Sequence, residues 1–173
     1  NARLLFGAEN PPGSQYVSGS QDHLGLLVPG ISRLYYEGGY WPSGIETCRE
    51  PSVCDWLSDV LQLIPLNPRP SGYDPIALKN LRREYVKELG DSGIECWESI
   101  VNKDVTGLGK AMTRSFLAWK KILPYTVPDH IMDEMNKYLT KYPGAITSGS
   151  GGGYAVVASE ERIEGAVRIR VRY

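Results

Sequence analysis

Residues 144–158 read GAITSGSGGGYAVVA, two apolar runs around a tract in which four of the five positions 149–153 are glycine. No other segment restricts the fold as tightly. Ala145-Ile146-Thr147 and Tyr154-Ala155-Val156-Val157 are rich in β-branched and aromatic residues, so both predict buried strands joined by the glycine loop. Glycine allows positive φ and lets backbone N–H groups come close to an anion. A tight structural turn and a phosphate or substrate loop are equally open on composition alone. A Ser/Gly tract can also serve as a flexible linker, but strand-like flanks on both sides argue against that.

The rest of the chain sorts strands from helices. Residues 8–19 predict a loop, Ile31 to Glu37 a strand, 40–53 mostly turns, and Gln62 to Leu66 a strand after a short helix ending near Leu61. Asp74-Pro75 predicts a helix start, with Leu78, Leu81, Tyr85 and Leu89 on one face. Three further helices are marked by Ile94, Trp97 and Val101, by Leu108, Met112, Ser115, Trp119 and Leu123, and by Ile131, Met135, Tyr138, Leu139 and Tyr142 behind Pro128. Val167 to Tyr173 alternates arginine with apolar residues and predicts a strand with one wet face. Segregated strands and helices imply an α+β fold with a mostly antiparallel sheet.

The 173 residues suit a single domain. A net charge of −1 gives no reason to expect nucleic acid or a membrane surface as partner, and no apolar run approaches the roughly 20 residues of a membrane helix. Cys48, Cys54 and Cys96 are odd in number and unpaired in spacing, which predicts reduced thiols in a cytoplasmic protein. With His23 and His130 remote from any cysteine cluster, a Cys/His metal site is not expected. Asn1-Ala2 reads as the residue of a cleaved tag, and Arg3 to Gly7 as the last turn of a helix that begins earlier. The expectation is a piece of a longer protein.

Ser148-Gly149-Ser150-Gly151-Gly152-Gly153 resembles the third conserved motif of GHMP kinases, Thr/Ser-Gly-Ala-Gly-Gly-Gly, with Ser150 in place of the usual alanine. Upstream, Gly19-Ser20-Gln21-Asp22-His23 resembles the Gly-x-x-Asp-Gln/His segment of GHMP sugar kinases, most closely its Gly-Trp-Gln-Asp-Gln form in fucose and heptose kinases. Taken alone, Asp22 is an ordinary surface acid near a helix start. The resemblance implies more: a carboxylate beside the sugar hydroxyl, able to orient it and accept its proton late in phosphoryl transfer. Gln21 and His23 are candidate sugar contacts by the same resemblance; His23 stands where the family has glutamine or another polar residue, and packing is the commoner role of such a histidine. Arg69-Pro70-Ser71-Gly72-Tyr73 occupies the place of a substrate-facing loop, from which Arg69, Ser71 and Tyr73 would contact sugar; a surface turn is the alternative.

The resemblance spans Glu9 to Tyr173 and implies a ferredoxin-like C-terminal domain covered by helices. It further implies ATP and Mg²⁺ in the full-length enzyme, a sugar or sugar phosphate as acceptor, and the protein's own N-terminal domain as partner. The Pro-x-x-x-Gly-Leu-Gly-Ser-Ser-Ala phosphate loop of the family does not occur here. The chain alone is therefore expected neither to bind ATP tightly nor to phosphorylate sugar. The alternatives are a non-sugar acceptor or a catalytically inactive sugar sensor. For Arg168, Arg170 and Arg172, protection of an edge strand by charge is expected rather than a phosphate or nucleic-acid contact.

Overall fold

The apolar runs flanking the glycine tract form neighbouring antiparallel strands. The computed structural model describes residues 1–68, 74, 76–149 and 153–173. It divides into two units, Asn1–Asp55 with Val171–Tyr173, and Trp56–Arg170.

In the first unit, helix α1 (Ala2–Glu9) and helix α2 (Gln21–Leu27) precede strand β1 (Ile31–Tyr35), strand β2 (Gly44–Cys48) and the start of helix α3 (Pro51–Val60). β1 and β2 pair antiparallel from Ile31 opposite Cys48 to Tyr35 opposite Gly44. The expectation of turns over 40–53 is thus corrected: β-branched Ile45 and Thr47 sit at strand spacing, and β1 supplies the ladder that glycine and proline on either side obscure. The pair is fastened by a hydrogen bond from Tyr35 Oη to Glu46 Oε2 at 2.7 Å. Near the other end, the Ser32 and Thr47 hydroxyls are 3.2 Å apart.

The second unit holds a four-stranded sheet ordered β4-β5-β3-β6, from strands β3 (Leu61–Pro65), β4 (Gly144–Ser148), β5 (Tyr154–Ala158) and β6 (Val167–Arg168). All neighbours are antiparallel. This is the α+β, ferredoxin-like strand order. Between β3 and β4 run helix α4 (Arg83–Val101), helix α5 (Val105–Ile122), a 3₁₀ turn at Pro124–Thr126 and helix α6 (Asp129–Leu139). Ile64, Phe116, Val127, Ile131, Met135, Ala145, Ala155, Val157 and Ile163 form the core between helices and sheet. Residues 159–166, which join β5 to β6, contain no helix. They are held instead by buried Gln62, whose Nε2 donates to the Glu161 carbonyl at 2.7 Å and whose Oε1 accepts from Ile163 N–H at 2.8 Å.

Three helix and strand expectations are corrected. Asp74 does cap locally, its Oδ1 accepting from Ile76 N–H at 3.0 Å, but no helix follows until Arg83. Tertiary hydrogen bonds take the segment elsewhere: Asn80 N–H and Nδ2 donate to the Ile122 and Lys121 carbonyls, capping the end of α5. From Arg83 a single helix runs through Gly90 and Gly93, where a turn between two helices was expected. The final strand is confined to Val167–Arg168, although the exposed arginines at 168, 170 and 172 alternate with half-buried Ile169 and Val171. β6 is the edge of the sheet, where charge is a common safeguard.

α5 fixes how the helices meet the sheet. Asp104 caps it, its Oδ1 accepting from Gly107 N–H at 2.9 Å, and Lys120 and Lys121 sit in its last turn against the negative end of the helix dipole. Its buried stripe runs through Leu108, Met112, Phe116 and Ile122 rather than through Ser115 and Trp119. A Cβ on Gly144 would strike the Gly109 carbonyl, and one on Gly109 would meet the backbone of Pro143 and Gly144. Glycine at both positions lets α5 lie backbone against backbone on β4.

Candidate functional site

The glycine loop connects Ser148 to Tyr154, the last paired positions of β4 and β5. Gly149 and Gly153 bracket it with φ of +82° and +87°, a region that side-chain-bearing residues rarely adopt. Ser148 and Gly149 are exposed. Thr147 Oγ1 donates to the Gly149 carbonyl at 3.2 Å, which ties the start of the loop to the strand. Gly153 exchanges hydrogen bonds with the end of β3: Leu66 N–H donates to its carbonyl at 2.7 Å, and its N–H donates to the Asn67 carbonyl at 3.2 Å. Ser150, Gly151 and Gly152 lie outside the described residues, as do Arg69, Ser71 and Tyr73.

Next to the first bracket is a cleft of about 290 Å³ lined by Ile76, Phe116, Trp119, Leu123, Thr126, Ile146, Thr147 and Gly149. Sequence periodicity put Trp119 in the buried stripe of α5; it is 41% exposed and forms a wall of this cleft instead. Phe116, one turn earlier, takes the core position instead.

In the other unit, Asp22 is exposed in the first turn of α2, and Gln21 before it is also exposed. The segment is anchored by Ser20, wholly buried, whose Oγ donates to the Tyr40 carbonyl at 2.7 Å and lies 2.9 Å from Tyr36 Oη. A Cβ on Gly19 would run into the Gln21 carboxamide, which folds back over it. His23 faces inward at 3% exposure, edge-on to Phe6 at 5.8 Å. Its Nε2 is 3.1 Å from Glu9 Oε2, but the approach is too oblique for a hydrogen bond, so neither ring nitrogen has a hydrogen-bond partner. Asp22 thus presents a free-standing carboxylate surface, and His23 next to it packs α2 against α1.

Among the described residues, no group of three or more His, Cys, Asp or Glu side chains could hold a metal ion. No helix among them is long and apolar enough to cross a membrane. A scan against protein-family models and a search of curated proteins both returned no match.

Proposed function

We propose that this chain is the C-terminal half of a cytoplasmic GHMP-type sugar kinase, which transfers the γ-phosphoryl group of ATP to a hydroxyl of a monosaccharide or sugar phosphate. The observation that carries the reading is the glycine loop in its fold context. It joins the edge strand β4 to the central strand β5 of a ferredoxin-like sheet, and positive-φ glycines at both ends keep side chains away from the places where backbone amides would meet an anion. The exposed Asp22 carboxylate in the Gly-Ser-Gln-Asp segment is the second support.

In this reading Asp22 orients the acceptor hydroxyl and takes its proton, and backbone amides of Gly149 to Gly152 supply donors to the anionic group being transferred. The resemblance assigns Mg²⁺ and the bulk of ATP binding to the N-terminal domain; among the described residues there is no group of three or more His, Cys, Asp or Glu that could hold a metal on its own.

The test is a panel of monosaccharides and sugar phosphates screened by coupled ADP detection with the protein that includes that domain. Asp22→Asn should lower kcat by about 10²- to 10⁴-fold while sugar affinity changes little. Unchanged turnover in the variant would remove Asp22 from the reaction. Sugar-dependent ADP release by this chain alone would overturn the division of labour between the halves.

A further inference from the structure

The cleft beside Gly149 has a chemistry of its own. Ile76, Leu123 and Ile146 are aliphatic, Phe116 and Trp119 aromatic, and no charged side chain lines it among the described residues. At about 290 Å³ it stands at the lower end of the range for small-molecule sites, enough for one fused ring system rather than an extended ligand. A ring face could stack on the partly exposed Trp119, whereas Phe116 is already buried in the core.

Its polar groups select further. Thr126 Oγ1 donates to the Leu123 carbonyl at 2.7 Å, and Thr147 Oγ1 donates to the Gly149 carbonyl at 3.2 Å. Each hydroxyl has committed its single proton to the backbone, so toward a ligand both oxygens act as acceptors. An occupant whose polar edge only accepts would leave its own group and these oxygens unmatched. One with an O–H or N–H at that edge would be satisfied.

We infer that this cleft is a binding site for a small planar aromatic molecule carrying a hydrogen-bond donor at its edge, of the indole or phenol class. The inference does not rest on the kinase reading: of the residues lining the cleft only Gly149 belongs to the loop that reading uses. Occupancy would place a ligand against Thr147 and Gly149, the residues that start the glycine loop.

The experiment is a titration of the ¹⁵N-labelled chain with indole, followed by amide chemical shifts, with 1-methylindole as the arm that lacks the donor. Saturable shifts centred on Thr126, Thr147 and Gly149, with a dissociation constant on the order of 1 mM, are expected for so small a ligand. 1-Methylindole should bind roughly 3- to 10-fold more weakly, the loss of one hydrogen bond. Trp119→Ala should weaken indole at least about 10-fold. Because that variant removes a large side chain, Thr147→Val is the second test; it keeps the shape of the wall, removes one of the two acceptors and should reduce the preference for indole over its methylated form. Non-saturating shifts, shifts centred elsewhere, or equal affinity in Trp119→Ala would overturn the site. Equal affinity of the two indoles in the unaltered chain would overturn the ligand class.

Discussion

Replacing Gly144 by alanine tests whether the helix layer is pinned to the sheet where the structure places the contact. The residue is buried in β4 and its φ is not positive, so alanine is compatible with the backbone and by itself favours a strand by about 0.5–1 kcal/mol. The added methyl, however, would overlap the carbonyl of Gly109 and lie against Thr113 Oγ1. Those carbonyl atoms belong to the backbone of an 18-residue helix and cannot rotate aside, so relief requires moving α5 as a body. Movement would stretch the hydrogen bond from Ala145 N–H to Thr113 Oγ1, already 3.3 Å, and disturb the packing of Phe116 on Ala145 and Ile64 in the core. Overpacking of this kind costs about 1–3 kcal/mol, and rigid backbone puts this site at the upper end. After the propensity gain is subtracted, a net loss of about 2 kcal/mol remains. At a typical urea dependence this lowers the unfolding midpoint by about 1 M. Gly90→Ala is the matched control: within α4 its Cβ would meet nothing inside 4 Å, so the same substitution should stabilise by about 0.5–1 kcal/mol. Urea unfolding followed by circular dichroism measures both. A Gly144→Ala midpoint at or above that of the unaltered chain would refute the close contact between α5 and β4.

Two further outcomes follow from single groups. Asp104→Ala removes the cap on α5 and should cost about 1 kcal/mol in the same urea assay, whereas Asp104→Asn, which keeps an acceptor oxygen, should cost less than half of that; equal losses would deny the cap its role. Burial raises the thiol pKa of both Cys54 and Cys96, and Cys54 is wholly inaccessible with the neighbouring Cys48 thiol and two carboxylates raising it further. Both stay protonated at pH 7.5, so iodoacetamide should alkylate Cys48 first, and peptide mapping that finds Cys54 modified first would contradict the burial.

What the sequence made legible was decided by local chemistry. β4 and β5 are readable because consecutive β-branched and small apolar residues suit strands covered on both faces, and Ala155, Val157 and Ala158 are indeed wholly buried. Gln62 to Leu66 is readable for the same reason. The misreadings lie where distant partners outweigh local preference. Asp74 makes its capping hydrogen bond, yet Asn80 is drawn to the last carbonyls of α5, an interaction across 41 and 42 positions that no window of sequence contains. Gly109 and Gly144 look in sequence like a weak point in a helix and a turn residue; their meaning appears only when the two backbones meet. The site divides likewise. The glycine brackets follow from composition and the exposure of Asp22 from its charge beside Gln21, whereas the burial of Ser20 and His23 on either side is set by Tyr36, Tyr40 and Phe6, which no local window contains. The cleft was not legible, because Trp119 and Phe116 both fit the periodicity of α5 and only tertiary packing separates core from wall.

That contact explains why a cleft and a glycine loop occur together at one end of the unit. α5 and β4 touch backbone to backbone at Gly109 and Gly144, then continue side by side with Thr113 Oγ1 accepting from Ala145. From Gly109 to Trp119 the helix advances about 15 Å, and from Gly144 to Gly149 the strand advances about 17 Å, so the two arrive together at the cleft. Side chains must fill the space that glycines close at the other end. Phe116 does so in the core, and beyond it Trp119 and Leu123 line a gap rather than close it. The loop therefore starts from a strand held rigidly at its base and open at its tip, which is the arrangement that lets a short backbone segment meet a ligand without the scaffold having to move.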